Sequence, residues 1–235
     1  MPTRTFEDLP EEKRRRVLDA AIAEFGRYGY DRSSTQRIVE AAGIARGSFY
    51  QYFKDKADLY KTLIVEVAEW KVSFLQPVID RKEELGLFEL IRELVRHSLE
   101  FVNTVPGLEA LGRDLAAATS PEKKQIIEDV HAGRLGRRYR ELLTINETLY
   151  DAAIGNSIRH GEISPDYDPE VIRFAVRTLV ESMGRLMNSR NDGEAIDTRG
   201  RYIMDQVLAI LRNGLGGPAG ATDRPTSTGG SEGNG

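Results

Sequence analysis

The sequence has no cysteine among its 235 residues. It therefore forms no disulfide, carries no thiolate nucleophile and builds no cysteine-based zinc site. Only three histidines, His97, His131 and His160, remain as soft metal ligands. Glu128, Asp129 and His131 are close in sequence but do not share one helical face, so no metal, no cofactor and no enzymatic activity are expected. No stretch reaches the roughly 18 to 20 apolar residues that cross a membrane. The opening MPTRTFEDLPEEKRRR lacks the apolar segment of a secretory signal, so a cytoplasmic chain without a membrane partner is expected, and the sequon Asn146-Glu147-Thr148 reads as unused. Alternation of period two and internal repeats are missing too.

What is present is a globular composition, 40% hydrophobic and 30% charged. The net charge of −4 is uneven. Residues 1 to 12 sum to −3, residues 13 to 56 to +5 and residues 57 to 235 to −6. A basic module joined to an acidic body suits a contact between that module and a polyanion. From Gly214 to Gly235 the composition shifts again, with eight of the 22 glycines in this stretch. Such a tail buries too little apolar surface to offset its ordering entropy and is expected to be disordered. Its Gly214, Gly216 and Ala219 mimic a dinucleotide-binding fingerprint, but the required strand before and helix after are missing.

Apolar residues recur three and four apart through residue 213, which predicts an all-α chain. A first long helix starts near Pro10, with Glu11 and Glu12 in its first turn, and stops at Gly29. Ser33 or Ser34 caps a short helix that ends at Gly43, and another short helix runs from about Ala45 to Tyr52. Asp55 caps a long helix reaching toward Val78. Further helices are expected after Gly86, from Gly107 to about Ala117, from Pro121 to about His160 with Gly133 and Gly136 as breaks, from Pro169 to Asn188 and from Thr198 to Asn213.

The segment STQRIVEAAGIARGSFYQYF, from Ser34 to Phe53, has the parts of a helix-turn-helix, whose second helix lies in the DNA major groove. Phe49 and Phe53, four apart, belong to the core. Burying them turns Arg46, Gly47, Ser48, Tyr50, Gln51 and Tyr52 outward, as donors for phosphates and base edges. Arg14, Arg15 and Arg16 read as a solvated helix face.

Residues 14 to 60, RRRVLDAAIAEFGRYGYDRSSTQRIVEAAGIARGSFYQYFKDKADLY, resemble the N-terminal DNA-binding domain of the TetR family of bacterial transcriptional regulators. The likeness rests on Gly29, the Ser/Thr start of the second helix, Ala42-Gly43-Ile44, Gly47, the run Phe49-Tyr50-Gln51-Tyr52-Phe53, and Lys56 with Leu59. The resemblance implies that Arg46 reads a base, that Gly47 lets the backbone approach, and that Ser48, Tyr50 and Tyr52 bond phosphates. Gln51 would reach adenine or a phosphate, Thr35 and Gln36 would clamp the opposite backbone, and Lys56 would add its charge at the next helix start. Ala45 departs from the family's usual Ser or Thr and removes an N-cap worth about 1 kcal/mol.

For the body, the resemblance implies dimerisation and small-molecule sensing. Phe174, Leu179, Val180, Met183, Leu186 and Met187 on the penultimate helix, with Ile203, Val207, Ile210 and Leu211 on the last, would close a four-helix bundle between two copies. A hydrophobic or amphipathic ligand would lie against Trp70, Phe74, His97, Phe101 and Tyr150. The expected organisation is a helix-turn-helix domain over residues 1–55, a helical effector-binding and dimerisation domain over 56–213 and a tail over 214–235. The implied function is a homodimeric repressor on an inverted-repeat operator in double-stranded DNA, released by its ligand. The alternative is a helix-turn-helix protein whose body binds another protein in a nucleoid or division role.

Overall fold

The computed structural model describes residues 2–117, 120–132, 134–188 and 196–215. The side chain of Met187 and the tail from residue 216 onward lie outside the described residues. Among those described, every regular element is a helix. In chain order they are α1 (Arg4–Glu7), α2 (Glu11–Arg32), α3 (Thr35–Ala42), α4 (Arg46–Tyr52), α5 (Lys56–Phe74), α6 (Gln76–Ile79), α7 (Leu87–Val102), α8 (Leu108–Ala117), α9 (Pro121–Ala132), α10 (Arg134–Arg159), α11 (Pro169–Asn188) and α12 (Ile196–Leu215). The chain thus has an N-terminal helix-turn-helix unit followed by a larger helical body.

Gly29 ends the regular run of α2 as the sequence suggests: its φ of 71° and ψ of 167° are not helical, and only a kinked turn continues to Arg32. The capping of α3 differs from expectation. No Ser33 or Ser34 side chain caps α3. Ser33 Oγ instead donates to the Tyr30 carbonyl at 2.6 Å, and the buried Glu24 carboxylate accepts from the Ser34 N–H at 2.7 Å. Gly43 ends α3 as the sequence suggests, with φ of 63°, a conformation that costs glycine no Cβ clash. Asp55 caps α5 by accepting from the Asp58 N–H at 2.8 Å.

Two large buried clusters dominate the described residues. One gathers Val17, Leu18, Ala21, Ile22 and Phe25 of α2, Ile38 of α3, Phe49 and Phe53 around α4, and Leu59 and Leu63 of α5; Phe101, Val105, Leu108, Leu111 and Ile126 from the body complete it. The other joins α7, α10, α11 and α12 through residues such as Phe88, Ile91, Leu149, Ile154, Ile172, Met183, Ile203 and Leu208.

Helix α2 is tied to the body at two points, and α5, α8 and α9 are tied to one another beside them. Helices α2 and α8 approach so closely that a Cβ on Gly26 would stand 2.6 Å from the Gly107 carbonyl oxygen. Tyr30 Oη donates to Glu122 Oε1 and Tyr60 Oη to Asp114 Oδ2, each at 2.7 Å. Burial, reinforced by these carboxylates, pushes both phenols well above their usual range. Lys123, only 1% exposed, pairs with Asp114 Oδ1 at 2.9 Å, and Lys61 meets Asp129 at 2.5 Å.

Candidate nucleic-acid interface

Helix α4 has seven residues and no side-chain bond at its N-terminus. A helix this short is not stable alone, so its order comes from packing. Phe49 and Phe53 supply that packing, at 1% and 0% exposure, with ring centroids 5.6 Å apart. Their burial fixes which side of α4 faces out. Arg46, Gly47, Tyr50 and Gln51 are exposed, and Ser48 is half-buried. Tyr50 stands edge-on to Phe49 at 5.3 Å, so an exposed phenol sits on a rigid base. A Cβ placed on Gly47 would meet nothing within 4 Å among the described residues, so none of them requires glycine there and the backbone is left open to an outside group.

The start of α3 lies beside this surface. Thr35, Gln36 and Val39 line a shallow notch together with Arg46, Phe49 and Tyr50. Gln36 Nε2 donates to Glu40 Oε1 at 3.0 Å, which holds its amide on the exposed side. With no side chain capping α3, its first-turn N–H groups suit an anion.

Residues 17–63 match the family model of bacterial regulatory proteins, tetR family. A solved TetR-family transcriptional regulator from Chloroflexus aurantiacus is 28% identical and superimposes with a TM-score of 0.56, over 92% of this chain and 98% of that one. Over residues 17–63, then, the chain carries the N-terminal domain of the tetR family.

The HTH-type transcriptional regulator AcrR of Shigella flexneri is 34% identical over 90 residues, 38% of this chain and 41% of that relative. The matches to two further curated relatives span 34% and 56% of their lengths. The transcriptional regulator FadR from Bacillus subtilis, solved with stearoyl-CoA, shares the fold at 18% identity with a TM-score of 0.61, over 83% of this chain and 97% of that one.

Two residues that the TetR-family resemblance sends to DNA are placed otherwise. Tyr52 is 3% exposed, because Phe6 of α1 packs on its ring at 5.9 Å; it supports α4 from behind. Lys56 turns inward. Its Nζ donates to the Tyr30 carbonyl at 2.7 Å and stands 4.5 Å from the Tyr30 ring, so its charge neutralises the C-terminal end of α2.

Sequence reasoning missed Glu24 and Arg37. The Arg37 guanidinium forks onto Glu24, with Nη2 to Oε1 at 2.6 Å and Nε to Oε2 at 3.0 Å, and stacks on Tyr28 at 4.3 Å. This pins the start of α3 to α2. The available signal was an acid, Glu24, set in the apolar face of α2.

In the body, the residues suggested for a ligand fall into two groups. Phe74 contacts His97 at 6.2 Å and Phe101 at 5.7 Å, and Trp70 lies one turn before Phe74 on α5. Tyr150 belongs to the other cluster. The residues suggested for pairing also divide. Phe174, Leu179, Leu186 and Ile210 are exposed, whereas Met183 and Ile203 are buried at 4% and 8% and Val207 is half-buried, so these three pack within one chain.

Proposed function

We propose that the protein is a transcriptional repressor that binds an inverted-repeat operator as a homodimer and leaves it on binding a hydrophobic or amphipathic molecule. The observation that carries this reading is the two-sided build of α4. Its inner side is locked by Phe49, Tyr52 and Phe53, and its outer side presents Arg46, Gly47, Tyr50 and Gln51. The Arg46 guanidinium suits guanine O6 and N7 together, Gln51 suits adenine or a phosphate, and Ser48, Tyr50, Thr35 and Gln36 suit phosphates. The excess of five positive charges over residues 13 to 56 draws this face to DNA.

Residues 1–55 form the reading head in this proposal and 56–213 the body. Two copies join through the apolar side chains left exposed on α11 and α12, with Val171 and Phe174 each 64% exposed, Tyr202 66% and Ile210 69%. Pairing sets the heads to meet successive major grooves roughly 34 Å apart on one face of the duplex. Helix α5 runs from the head to Phe74, beside His97 and Phe101. A ligand seated there with higher affinity for a different tilt of α5 shifts the population toward heads whose spacing misses one half-site. An apolar ligand accords with the apolar lining and with the stearoyl-CoA held by the Bacillus subtilis relative.

The test is enrichment of duplexes from a random pool by the purified protein at two salt concentrations. An inverted repeat is expected, bound at least tenfold more weakly by Arg46→Ala. Binding without sequence preference, lost steeply with salt, would sink the proposal.

A further inference from the structure

Helix α4 ends on the carbonyls of Gln51 and Tyr52, and both are taken by one residue from the far N-terminus. The Thr3 N–H donates to the Tyr52 carbonyl at 2.9 Å, and Thr3 Oγ1 donates to the Gln51 carbonyl at 2.5 Å. Three residues on, Phe6 is 1% exposed, with its ring 4.6 Å from Phe53 and 5.9 Å from Tyr52. Leu9 then packs on the same cluster and leads into α2. The Arg4–Asp8 ion pair, 3.5 Å apart at 91% and 69% exposure, adds little to this hold.

A seven-residue helix leaves its last carbonyls without partners inside the helix, and α4 has no N-terminal side-chain cap to compensate. Its C-terminal turn carries Tyr50 and Gln51, whose side chains face outward. A freed turn frays, and a frayed turn presents those side chains in many orientations. The Thr3 hydroxyl is bound to the backbone of Gln51 itself, so it acts on where that side chain points.

We propose that residues 2–9 are a brace for the reading helix, with Thr3 and Phe6 as positioning residues for DNA recognition. They touch no DNA; they cap and back the turn that does. The brace converts phosphate attraction, which is indifferent to sequence, into discrimination between sequences, because only an ordered turn holds Gln51 and Tyr50 in one register. The inference rests on the reading of α4 as a DNA-reading helix.

The test compares full-length wild type, Thr3→Val, Thr3→Ser and a variant lacking residues 2–9 on the selected inverted repeat and on a scrambled duplex. Thr3→Val keeps the side-chain shape and the backbone N–H but removes the hydroxyl. It is expected to lower operator affinity about fivefold, while affinity for the scrambled duplex and the salt slope stay unchanged. Thr3→Ser keeps the hydroxyl and is expected to retain wild-type discrimination. The deletion is expected to bring operator affinity close to that for the scrambled duplex, and amide exchange in α4 is expected to quicken in both weakened variants. A Thr3→Val protein that melts earlier but keeps the wild-type ratio of operator to scrambled affinity overturns the proposal, since the contact would then be structural only. If the deletion variant does not fold, the Val and Ser pair decides. A wild-type protein that selects no sequence at all defeats the underlying DNA-reading assignment, and the brace falls with it.

Discussion

The guanidinium carbon of Arg15 on α2 stands 4.1 Å from the centroid of the Trp70 ring on α5. The same arginine donates from Nε to Asp19 Oδ1 at 2.8 Å, which holds its plane over the indole. Trp70 is the sole tryptophan of the chain, so one chromophore reports on the contact between the helix that carries the head and the helix that enters the body. Replacing Arg15 by Ala removes the cation–π contact and opens that ring face to water. A red-shifted emission maximum and a stability loss of about 0.5–1 kcal/mol are expected. An unchanged spectrum would mean that the two groups do not stack in solution.

Lys123 is the most deeply buried cation among the described residues, and Asp114 holds it through both its carboxylate and its backbone carbonyl. Removing one partner of such a pair leaves the other charge uncompensated. Lys123→Ala is expected to cost about 3–5 kcal/mol in denaturant unfolding. Lys123→Met combined with Asp114→Asn removes both charges and is expected to recover a large part of that loss. Equal losses in the single and double variants would exclude the pair as the cause.

The two phenols at the head–body junction respond to alkali. Burial, and then the Glu122 bond for Tyr30 and the Asp114 bond for Tyr60, raise both above the usual phenol value near 10. A group raised on folding contributes stability that is complete below its unfolded value and is lost as the pH climbs through the folded one. Stability is therefore expected to hold to about pH 10 and to decline above it. Of nine tyrosines, these two are expected to develop phenolate absorbance only together with loss of the helical circular dichroism signal. In Tyr30→Phe/Tyr60→Phe protein this late phase should vanish, and its persistence would show that other tyrosines produce it.

Phe174 and Ile210 are 64% and 69% exposed in the single chain, an unusual placement for side chains of their size. Covered by a second copy, they leave water. Phe174→Glu with Ile210→Glu is expected to convert a dimer into a monomer by light scattering, with helical content kept and operator affinity reduced more than tenfold through loss of the second half-site. A wild-type protein that already scatters as a monomer would refute the pairing face.

The helices were legible in the sequence wherever a stripe of apolar residues ran for two turns or more, as from Val17 to Phe25 or from Phe88 to Val102. The inner side of α4 was half legible. Phe49 and Phe53, four apart, point to burial, but Tyr52 was assigned to the outer surface because the element that buries it, α1, has only four residues and shows no period. The true role of Lys56 was hidden for a similar reason. Its partners are backbone carbonyls 23 to 26 residues away, and carbonyls leave no mark in a residue pattern. On α11 and α12 two sides of each helix are apolar, so sequence alone did not separate Met183 and Ile203, which face the core, from Phe174 and Ile210, which face out.

The helix-turn-helix unit does not own its whole core: Phe101, Val105, Leu108, Leu111 and Ile126, all from beyond residue 100, sit among its buried residues. Cut free after α5 begins, it would leave α2 with a bare apolar flank. Exchange of heads between relatives is therefore not a matter of joining two blocks at a linker. A graft that takes residues 1–60 alone imports one half of an interlocked pair, and it keeps its shape only where the turn entering the receiving α8 offers a backbone as bare as Gly107 to the donor's counterpart of Gly26. The portable unit is the head together with the α8 surface that closes it.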